Sequence, residues 1–281
     1  MRGRFRELLS EAESGGRAVA AFTVYGIDGA LGAIAAAERQ RTGVVLLISQ
    51  QTFVSDVGLP LVAALKDVAA RAAVPVCLQL DHVSDLDLIA AALASGIDVI
   101  MADGSKLPDD ENVAFVRAAA ALAAKHGASL EAELGRIEGD EEIARGVRPA
   151  GFTDPGAAAS FVAATGVACL AVSIGNVHGR YASPPRLDFE LLAEIDAAVP
   201  CALSLHGASG IPDADVRRAI GLGVRKVNVN TELRERYFQT IADEAPRLRE
   251  GSRVLALSEA ISEAVADAAA AKIEAMAAAP V

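Results

Sequence analysis

Most of the histidines in this sequence stand just after short apolar runs that resemble strands. His82, His178 and His206 occupy such positions, and each has a glycine or an acidic residue beside it. The fourth histidine, His126, ends a helical segment, where its charge would favour the helix dipole, so we assign it no site role. Three neutral imidazoles with an open fourth position are typical of a catalytic zinc site, whereas magnesium prefers oxygen ligands. The three histidines therefore predict a metal site with zinc as the first choice.

Acidic residues also end the predicted strands. Asp81 directly precedes His82, Asp103 closes a short apolar run, and Glu131 and Glu133 alternate within one strand, so they share a face. Carboxylates inside a fold are costly unless they hold a metal, each other or a catalytic proton. For Asp81 and Glu133 this favours a functional role. For Glu131 a buried structural ion pair is an equally good interpretation.

Two glycine- and asparagine-containing segments near the end of the chain could bind an anion. They are Gly207-Ala208-Ser209-Gly210 and Asn228-Val229-Asn230-Thr231, and each follows a predicted strand. Their backbone N–H groups, hydroxyls and a helix start are suited to phosphate. Either segment alone could be an ordinary turn or helix cap. Occurring in two consecutive loops, they predict a phosphate site.

These groups need a scaffold that brings several strand ends together. Short β-branched runs alternate eight times with alanine-rich helical stretches, and residues 135–152 are the one long connection. The alternation predicts an α/β fold, a (β/α)8 TIM barrel, in which catalytic side chains lie at the carboxyl ends of the strands. The predicted strands are 18–24, 44–49, 75–81, 98–103, 129–134, 169–174, 201–205 and 226–229. The predicted helices are 29–39, 59–72, 86–94, 110–125, 156–164, 188–197, 213–220, 231–244 and 258–277.

The length of 281 residues fits one barrel domain spanning 1–281, with a helical extension from about residue 245 to the end. Residues 135–152 interrupt the regular pattern with a long, glycine-punctuated connection that contains several acidic residues. A loop of this length in a compact barrel is typically a functional lid or disordered. The apolar terminal helix is compatible with a homodimer or homotetramer, and equally with packing inside one chain.

Composition narrows the class of partner. A net charge of −11 argues against nucleic acid, because a polyanion would be repelled. No apolar run approaches the roughly 18 residues of a membrane helix, and no apolar stretch follows the basic N-terminus as in a signal peptide. The three cysteines are scattered in apolar runs, which suits a reducing compartment. We therefore predict a cytoplasmic protein without nucleic-acid or membrane partners.

Seven motifs occur in the order found in one enzyme family. The sequence resembles the class II ketose-bisphosphate aldolases, which include the fructose- and tagatose-bisphosphate enzymes. The likeness runs from about Val19 to Thr231, and its motifs are Ala21-Phe22, Leu80-Asp81-His82, Met101-Ala102-Asp103-Gly104-Ser105, Glu131-Ala132-Glu133-Leu134-Gly135, His178-Gly179, Leu205-His206-Gly207-Ala208-Ser209-Gly210 and Asn228-Val229-Asn230-Thr231-Glu232. A metal-dependent, reversible cleavage of a ketose phosphate to dihydroxyacetone phosphate and an aldehyde is what this resemblance implies.

The resemblance also implies roles for individual residues. Asp81 would give a proton to the aldehyde oxygen during condensation and remove it during cleavage. Glu141, in the acidic loop, falls where the family's proton-abstracting glutamate stands. The implied metal positions are His82, His178 and His206 for the catalytic zinc, with Asp103 and Glu133 as alternative or second positions.

Further residues would bind the substrate. By the same resemblance, the phosphate of dihydroxyacetone phosphate would contact Gly179, Gly207, Ser209, Asn230 and Thr231. Asn228 would contact the ketone's hydroxyl region. A monovalent cation, Na⁺ or K⁺, would lie nearby. Ser49 is retained after the second strand, although Gln50-Gln51 follows it in place of the usual sequence.

The family's asparagine pair after the first strand is replaced here by Phe22-Thr23-Val24-Tyr25-Gly26. The arginine expected to meet a second phosphate is also hard to place, and Arg253 is the candidate. The ketone half of the site therefore matches the family while the aldehyde half departs from it, which leaves the aldehyde open. A zinc-dependent hydrolase and a non-catalytic sugar-phosphate-binding protein on the same barrel are the alternative functions.

Overall fold

The computed structural model describes residues 3–139, 146–147 and 151–277. Eight parallel strands close into a barrel in the order β1-β10-β9-β7-β5-β4-β3-β2, and β6 pairs with β8 outside it. The strands are β1 (Val19–Thr23), β2 (Val44–Ser49), β3 (Val76–Val83), β4 (Val99–Ala102), β5 (Ser129–Leu134), β6 (Gly146–Val147), β7 (Cys169–Val172), β8 (Arg180–Tyr181), β9 (Ala202–Leu205) and β10 (Val224–Val229). The predicted (β/α)8 barrel is confirmed.

Helices surround the barrel. In the described part of the chain they are α1 (Phe5–Ser14), α2 (Ile27–Gln40), α3 (Gln50–Val54), α4 (Gly58–Arg71), α5 (Leu86–Ser95), α6 (Asp109–His126), α7 (Pro155–Thr165), α8 (Phe189–Ala198), α9 (Asp213–Gly221), α10 (Thr231–Arg249) and α11 (Val254–Ala275). Among these helices none has the length and apolarity needed to cross a membrane.

The barrel strands are apolar because both of their faces are buried. Side chains that point outward, such as Leu46 and Leu78, join the large core beneath the helices, whereas Val45 and Leu47 point into the barrel. Alternation with period two produces these two layers from one continuous apolar run. Asp81 and Glu133 lie near the carboxyl ends of β3 and β5, which places the site at that end of the barrel.

Helix α1, which the sequence pattern did not predict, closes the opposite end of the barrel. Phe5 and Leu8 are 2% exposed and pack with Val19, Val45 and other inward-facing residues at the amino ends of the strands. The helix is short and its N-terminal residue makes no side-chain cap hydrogen bond. Its buried residues Phe5, Leu8, Leu9 and Ala12 nevertheless recur at the spacing of one helix face, so a local signal was present. This apolar face is stabilised by the barrel that it covers.

The C-terminal helix α11 packs along α2. Arg39 bonds to Glu263 and Asp267 at 2.7 and 2.9 Å. A β-carbon on Gly32 would lie 2.6 Å from the carbonyl oxygen of Ser262, so the two helices approach closely at this glycine. The apolar face of α11 is thus covered within the same chain, which is the packing role that the sequence had left open.

Candidate active site

Four side chains converge at the carboxyl ends of the strands. The ligand atoms of His82, Glu133, His178 and His206 all lie within 4.8 Å of one another. The centroid of the His82 ring lies 4.7 Å from that of the His178 ring and 4.9 Å from that of the His206 ring. Three imidazoles and one carboxylate in this arrangement could hold a metal ion, and the nitrogen-rich donor set fits zinc.

His82 reaches this cluster through an irregular backbone. Its φ is +50°, and the register between β3 and β4 shifts between Leu80 and Val83. A positive φ at a non-glycine residue is uncommon and clusters at functional sites. Nδ1 lies 2.8 Å from Asp103 Oδ2, and Nε2 lies 3.0 Å from His206 Nδ1. Asp103 therefore holds the outer nitrogen of the ring while Nε2 faces the cluster.

His206 is held in the same manner by a different carboxylate. Its Nε2 lies 2.8 Å from Glu131 Oε1, and its Nδ1 faces His82. Glu131 in turn lies 2.9 Å from Lys226 Nζ, and all three side chains have no exposed surface. Carboxylates that orient metal-binding histidines in this way are common around zinc. Of the two interpretations of Glu131, the buried ion pair is present, formed with Lys226. The same carboxylate also bonds to His206, a member of the histidine cluster.

His178 is placed by the loop that follows β7. Asn176 in this loop donates from Nδ2 to the carbonyl oxygens of Val172 and His206, at 3.2 and 3.0 Å, and so ties the loop to the end of β9. The backbone N–H of His178 donates to the carbonyl oxygen of Glu138 at 2.7 Å. The start of the acidic connection after β5 is therefore docked against this histidine.

Negative charge surrounds the cluster. Burial lowers the pKa of His82, but Asp81, Asp103 and Glu133 outweigh it and raise the value well above its ordinary range. Burial and the charge of Asp103 raise the pKa of Glu133 to about 8. Burial also raises the pKa of Asp103, but its hydrogen bond to His82 outweighs this and the net pKa is lowered. So much carboxylate beside three imidazoles favours a bound cation.

Asp81 lies beside the cluster at the end of β3 and is 4% exposed. Gln79 Nε2 donates to its Oδ1 at 3.0 Å, and Asn228 Nδ2 lies 3.5 Å from its Oδ2. The carboxylate also lines the open cleft. It is therefore oriented from below and accessible to a substrate from above.

The predicted phosphate residues lie in the loops after β7, β9 and β10, which are neighbours in the barrel. Gly179 and Gly207 have φ values of +84° and +62°. Ser209 bonds to Glu232. Burial raises the pKa of Glu232, but the hydrogen bond from Ser209 and the charge of Lys272 outweigh it, so the net pKa is lowered. Asn230 contacts the Tyr25 hydroxyl at 3.1 Å. Thr231 begins α10 and is 7% exposed.

A cleft of about 590 Å³ opens in front of Asp81 and His82. It is lined by Thr23, Ser49, Gln50, Gln51, Asp81, His82, Ser84, Asp103, Gly104, Ser105, Lys106, Leu107, Glu133, Arg136, Ile137, Glu138, Gly139 and His178. Ser49 also caps α3, since its Oγ accepts from the Thr52 N–H at 3.1 Å. Among the described residues, the lysine and arginine side chains on this wall are Lys106 and Arg136, and Arg253, which precedes α11, is not among the lining residues.

Glu141 lies outside the described residues. Within them, the sequence interpretation had overlooked three buried polar residues that support the site: Gln79, Asn176 and Lys226. Two of them had a readable signal. Gln79 precedes Asp81 by two residues and Lys226 precedes Asn228 by two, so each shares the inward face of its strand with a predicted site residue.

Comparisons with known proteins agree on one family. A sequence model of "Fructose-bisphosphate aldolase class-II" matches residues 3–280. The D-tagatose-1,6-bisphosphate aldolase subunit GatY of Klebsiella oxytoca is 39% identical over 230 residues, 82% of this chain and 81% of that protein. The YdjI aldolase of Escherichia coli K12 is 30% identical with a TM-score of 0.86, covering 98% of this chain and 97% of that one. A candidate fructose-1,6-bisphosphate aldolase from Coccidioides immitis is 32% identical with a TM-score of 0.90, covering 98% and 96%.

Proposed function

The chain belongs to the class II fructose-bisphosphate aldolase family, and we propose that His82, His178 and His206 hold the zinc ion with which it cleaves a ketose 1,6-bisphosphate. The reaction is a reversible aldol cleavage that yields dihydroxyacetone phosphate and an aldehyde, so the enzyme is a lyase. The observation that carries the assignment of the metal is the convergence of three imidazoles and Glu133 within 4.8 Å at the mouth of the barrel.

Zinc, when bound, supplies the Lewis acidity that stabilises the negative charge of an enediolate. The protein supplies the proton transfers. In cleavage, Asp81 removes the proton from the hydroxyl that becomes the aldehyde oxygen, and in condensation it returns that proton. Asp81 is suited to this role because it borders the cleft while Gln79 and Asn228 hold it from below.

Glu141 is proposed as the base that abstracts the proton next to the ketone of dihydroxyacetone phosphate, on the strength of the family resemblance. Glu138, three residues earlier, is docked against His178 through its carbonyl oxygen at 2.7 Å. Glu138 and Gly139 line the cleft. The chain therefore enters the segment that contains Glu141 from the edge of the site, which supports the role.

The phosphate of the ketone is proposed to bind in the loops after β7, β9 and β10, with Na⁺ or K⁺ nearby. The residues proposed to contact it are Gly179, Gly207, Ser209, Asn230 and Thr231. Asn228 would contact the ketone's hydroxyl region and Ser49 the substrate at the opposite wall. The start of the 19-residue helix α10 supports the assignment, because helix N-termini attract anions.

The substrate is proposed to be fructose or tagatose 1,6-bisphosphate, or a ketose phosphate with a different aldehyde half. The wall of the cleft contains Thr23, Gln50 and Gln51, in two of the segments where the sequence departs from the family pattern, together with Lys106 and Arg136. We further propose that the enzyme acts in the cytoplasm as a homodimer or homotetramer. Exposed apolar residues such as Phe238, Val254 and Leu255 support self-association, and light scattering on the purified protein would measure it.

The function is tested by measuring dihydroxyacetone phosphate release from a panel of ketose phosphates, before and after chelation. We expect release from at least one ketose 1,6-bisphosphate, its loss after chelation and its recovery with zinc. The substrate cleaved with the highest kcat/KM identifies the aldehyde. Release that survives complete removal of metal would contradict the zinc proposal, and Glu141→Ala with unchanged activity would contradict the assignment of the base.

A further inference from the structure

Lys226 is a buried lysine whose ammonium group lies inside the barrel, beside the histidine cluster. Its side chain has no exposed surface, and Nζ lies 2.9 Å from Glu131 Oε2 and 2.6 Å from Asn228 Oδ1. Removing an ammonium group from water costs several kcal/mol unless a charge and hydrogen bonds compensate it. Glu131, on the facing strand β5, supplies that charge.

The same groups form a closed ring of polar contacts across β3, β5 and β10. Gln79 Nε2 donates to Asp81 Oδ1 and to Glu131 Oε2, both at 3.0 Å. Lys226 connects Glu131 with Asn228, and Asn228 Nδ2 lies 3.5 Å from Asp81 Oδ2. Because Lys226 occupies the amide oxygen of Asn228, the NH₂ group of that side chain is turned towards Asp81.

Glu131 connects this ring to the proposed metal site. Its Oε1 lies 2.8 Å from His206 Nε2, so the imidazole presents its other nitrogen, Nδ1, to the cluster, where it lies 3.0 Å from His82 Nε2. An imidazole whose Nε2–H is donated to a carboxylate has its lone pair on Nδ1. The carboxylate therefore decides which nitrogen of His206 is available to a metal.

We propose that Lys226 and Glu131 are a positioning pair for the reaction. Lys226 holds and balances the Glu131 carboxylate, Glu131 fixes the tautomer and ring orientation of His206, and Lys226 also orients the Asn228 carboxamide. Lys226 is neither among the residues that line the cleft nor among the four side chains of the cluster, so it acts through its neighbours. The inference rests on the proposed function, in which His206 is a metal ligand.

The physical reason for a charged pair here is the number of hydrogen bonds that the Glu131 carboxylate accepts. Its two oxygens accept from three donors, namely His206, Lys226 and Gln79. Because one of these donors is an ammonium group, the ion pair favours the charged form of the carboxylate. A neutral apolar residue in place of Lys226 would fill the barrel at lower desolvation cost. It would leave Glu131 buried without its counter-charge.

The tautomer is tested directly on the wild-type protein. With only four histidines in the chain, ¹⁵N-histidine labelling gives a spectrum simple enough to assign with a His206→Asn variant. Long-range ¹H–¹⁵N correlations on the zinc-loaded protein should show the His206 proton on Nε2. A proton on Nδ1 would overturn the proposal, independently of any variant's stability.

The contribution of Lys226 is tested by Lys226→Met, which retains the side-chain length and removes the charge. We expect zinc affinity, measured by competition with a chromophoric chelator, to fall by about 10- to 100-fold, as for other groups that orient metal-binding histidines. The matched control is Lys66→Met, which removes a lysine that donates to the Ser95 carbonyl oxygen at 2.8 Å on the outer helices. An unchanged affinity in Lys226→Met would overturn the proposal.

A double variant separates positioning from simple filling of the barrel. In Glu131→Gln/Lys226→Met no buried charge is left without its partner, and the amide oxygen of the glutamine can still accept from His206. We expect this variant to bind zinc more tightly than Lys226→Met alone. If Lys226 only fills space, the second substitution will give no recovery, and that result would overturn the proposal.

Zinc binding and dihydroxyacetone phosphate release by the wild-type protein separate the proposed function from the positioning pair. A wild-type protein that binds no zinc and releases no dihydroxyacetone phosphate would contradict the proposed function itself. A zinc-binding, active wild-type protein whose zinc affinity is insensitive to Lys226→Met would contradict only the positioning pair.

Discussion

Asp81, Glu133 and the three histidines show how single residues acquire function from their surroundings. Asp103 and Glu131 each occupy the outer nitrogen of one histidine, at 2.8 Å in both cases. Two inward nitrogens, His82 Nε2 and His206 Nδ1, are left facing each other at 3.0 Å. Asp103, for which the family resemblance implies a metal position, lies against His82, and Glu133 is grouped with the three histidines.

Asp81→Asn tests the proton-transfer role at this scale. The carboxamide has the same size but cannot take the substrate's proton, so we expect kcat to fall by about 10²- to 10⁴-fold. Zinc affinity should stay near that of the wild type, and both are measured on the same preparation. Asp85→Asn is the isosteric control, because Asp85 caps α5 and an asparagine caps a helix equally well. Full activity in Asp81→Asn would rule out the assignment.

Glu133 predicts a pH dependence of the stability of the metal-free protein. Its pKa is raised from 4.5 to about 8 by burial and by Asp103. Because the pKa is higher in the folded state, the folded protein holds the Glu133 proton more tightly than the unfolded chain does. The contribution of protonated Glu133 to stability is therefore full below pH 4.5 and is lost as the pH rises to about 8. We expect the Tm of the metal-free protein to fall across this range, and less steeply in Glu133→Gln. Zinc should reduce the fall, because the cation favours the charged carboxylate. A Tm that rises with pH equally in both proteins would contradict this prediction.

At the scale of elements, the loops after the strands matter more than the strands themselves. The loops after β7 and β9 are in close contact. A β-carbon on Gly207 would lie only 1.9 Å from the Val177 carbonyl oxygen. The Tyr181 hydroxyl also donates to the Gly207 carbonyl oxygen at 3.0 Å. This contact fixes the relative positions of His178 and His206, which belong to different loops.

Gly207→Ala should therefore affect both stability and substrate binding. The residue has φ +62° and no space for a methyl group, so we expect a destabilisation of roughly 1–3 kcal/mol and a higher KM for the ketose phosphate. Gly127→Ala is the control, since Gly127 has φ +65° but no atom within 4 Å of its β-carbon position. Denaturant unfolding and steady-state kinetics measure the two effects. Equal losses of stability in the two variants would show that the loop contact contributes nothing.

At the scale of the whole molecule, the two ends of the barrel have different roles. The carboxyl ends of the strands hold the polar site, and the amino ends are closed by α1 with an apolar layer that includes Phe5 and Leu8. Helices α10 and α11 complete the outer ring, with α11 packed along α2. Stability and chemistry can therefore be changed separately.

Phe5→Ala is expected to lower stability without altering the site. Removing a buried phenylalanine costs about 3–5 kcal/mol, and the cavity would lie at the amino ends of the strands. We expect a lower Tm and an unchanged KM for substrate at temperatures where the variant is folded. Phe238→Ala is the control, because Phe238 is 64% exposed. A Phe5→Ala variant with wild-type Tm would contradict the role given to α1.

The sequence alone was sufficient for the barrel and for the convergence of three strand-end histidines. The apolar runs predicted all eight barrel strands to within two residues at each end, because burial on both faces leaves a clear local pattern. The positions of His82, His178 and His206 after three of these strands were enough to predict that they would meet. Helix α1, which depends on the barrel for its burial, escaped prediction.

Only the tertiary structure decided how these groups act on one another. The contacts His206–Glu131 and Lys226–Glu131 join residues 75 and 95 positions apart in the chain, and no local pattern encodes such a pairing. The packing of α11 on α2 was likewise undecided until the surfaces were seen together. Local residue patterns specify which side chains face inward, whereas partners, distances and pKa shifts depend on which strands become neighbours when the barrel closes.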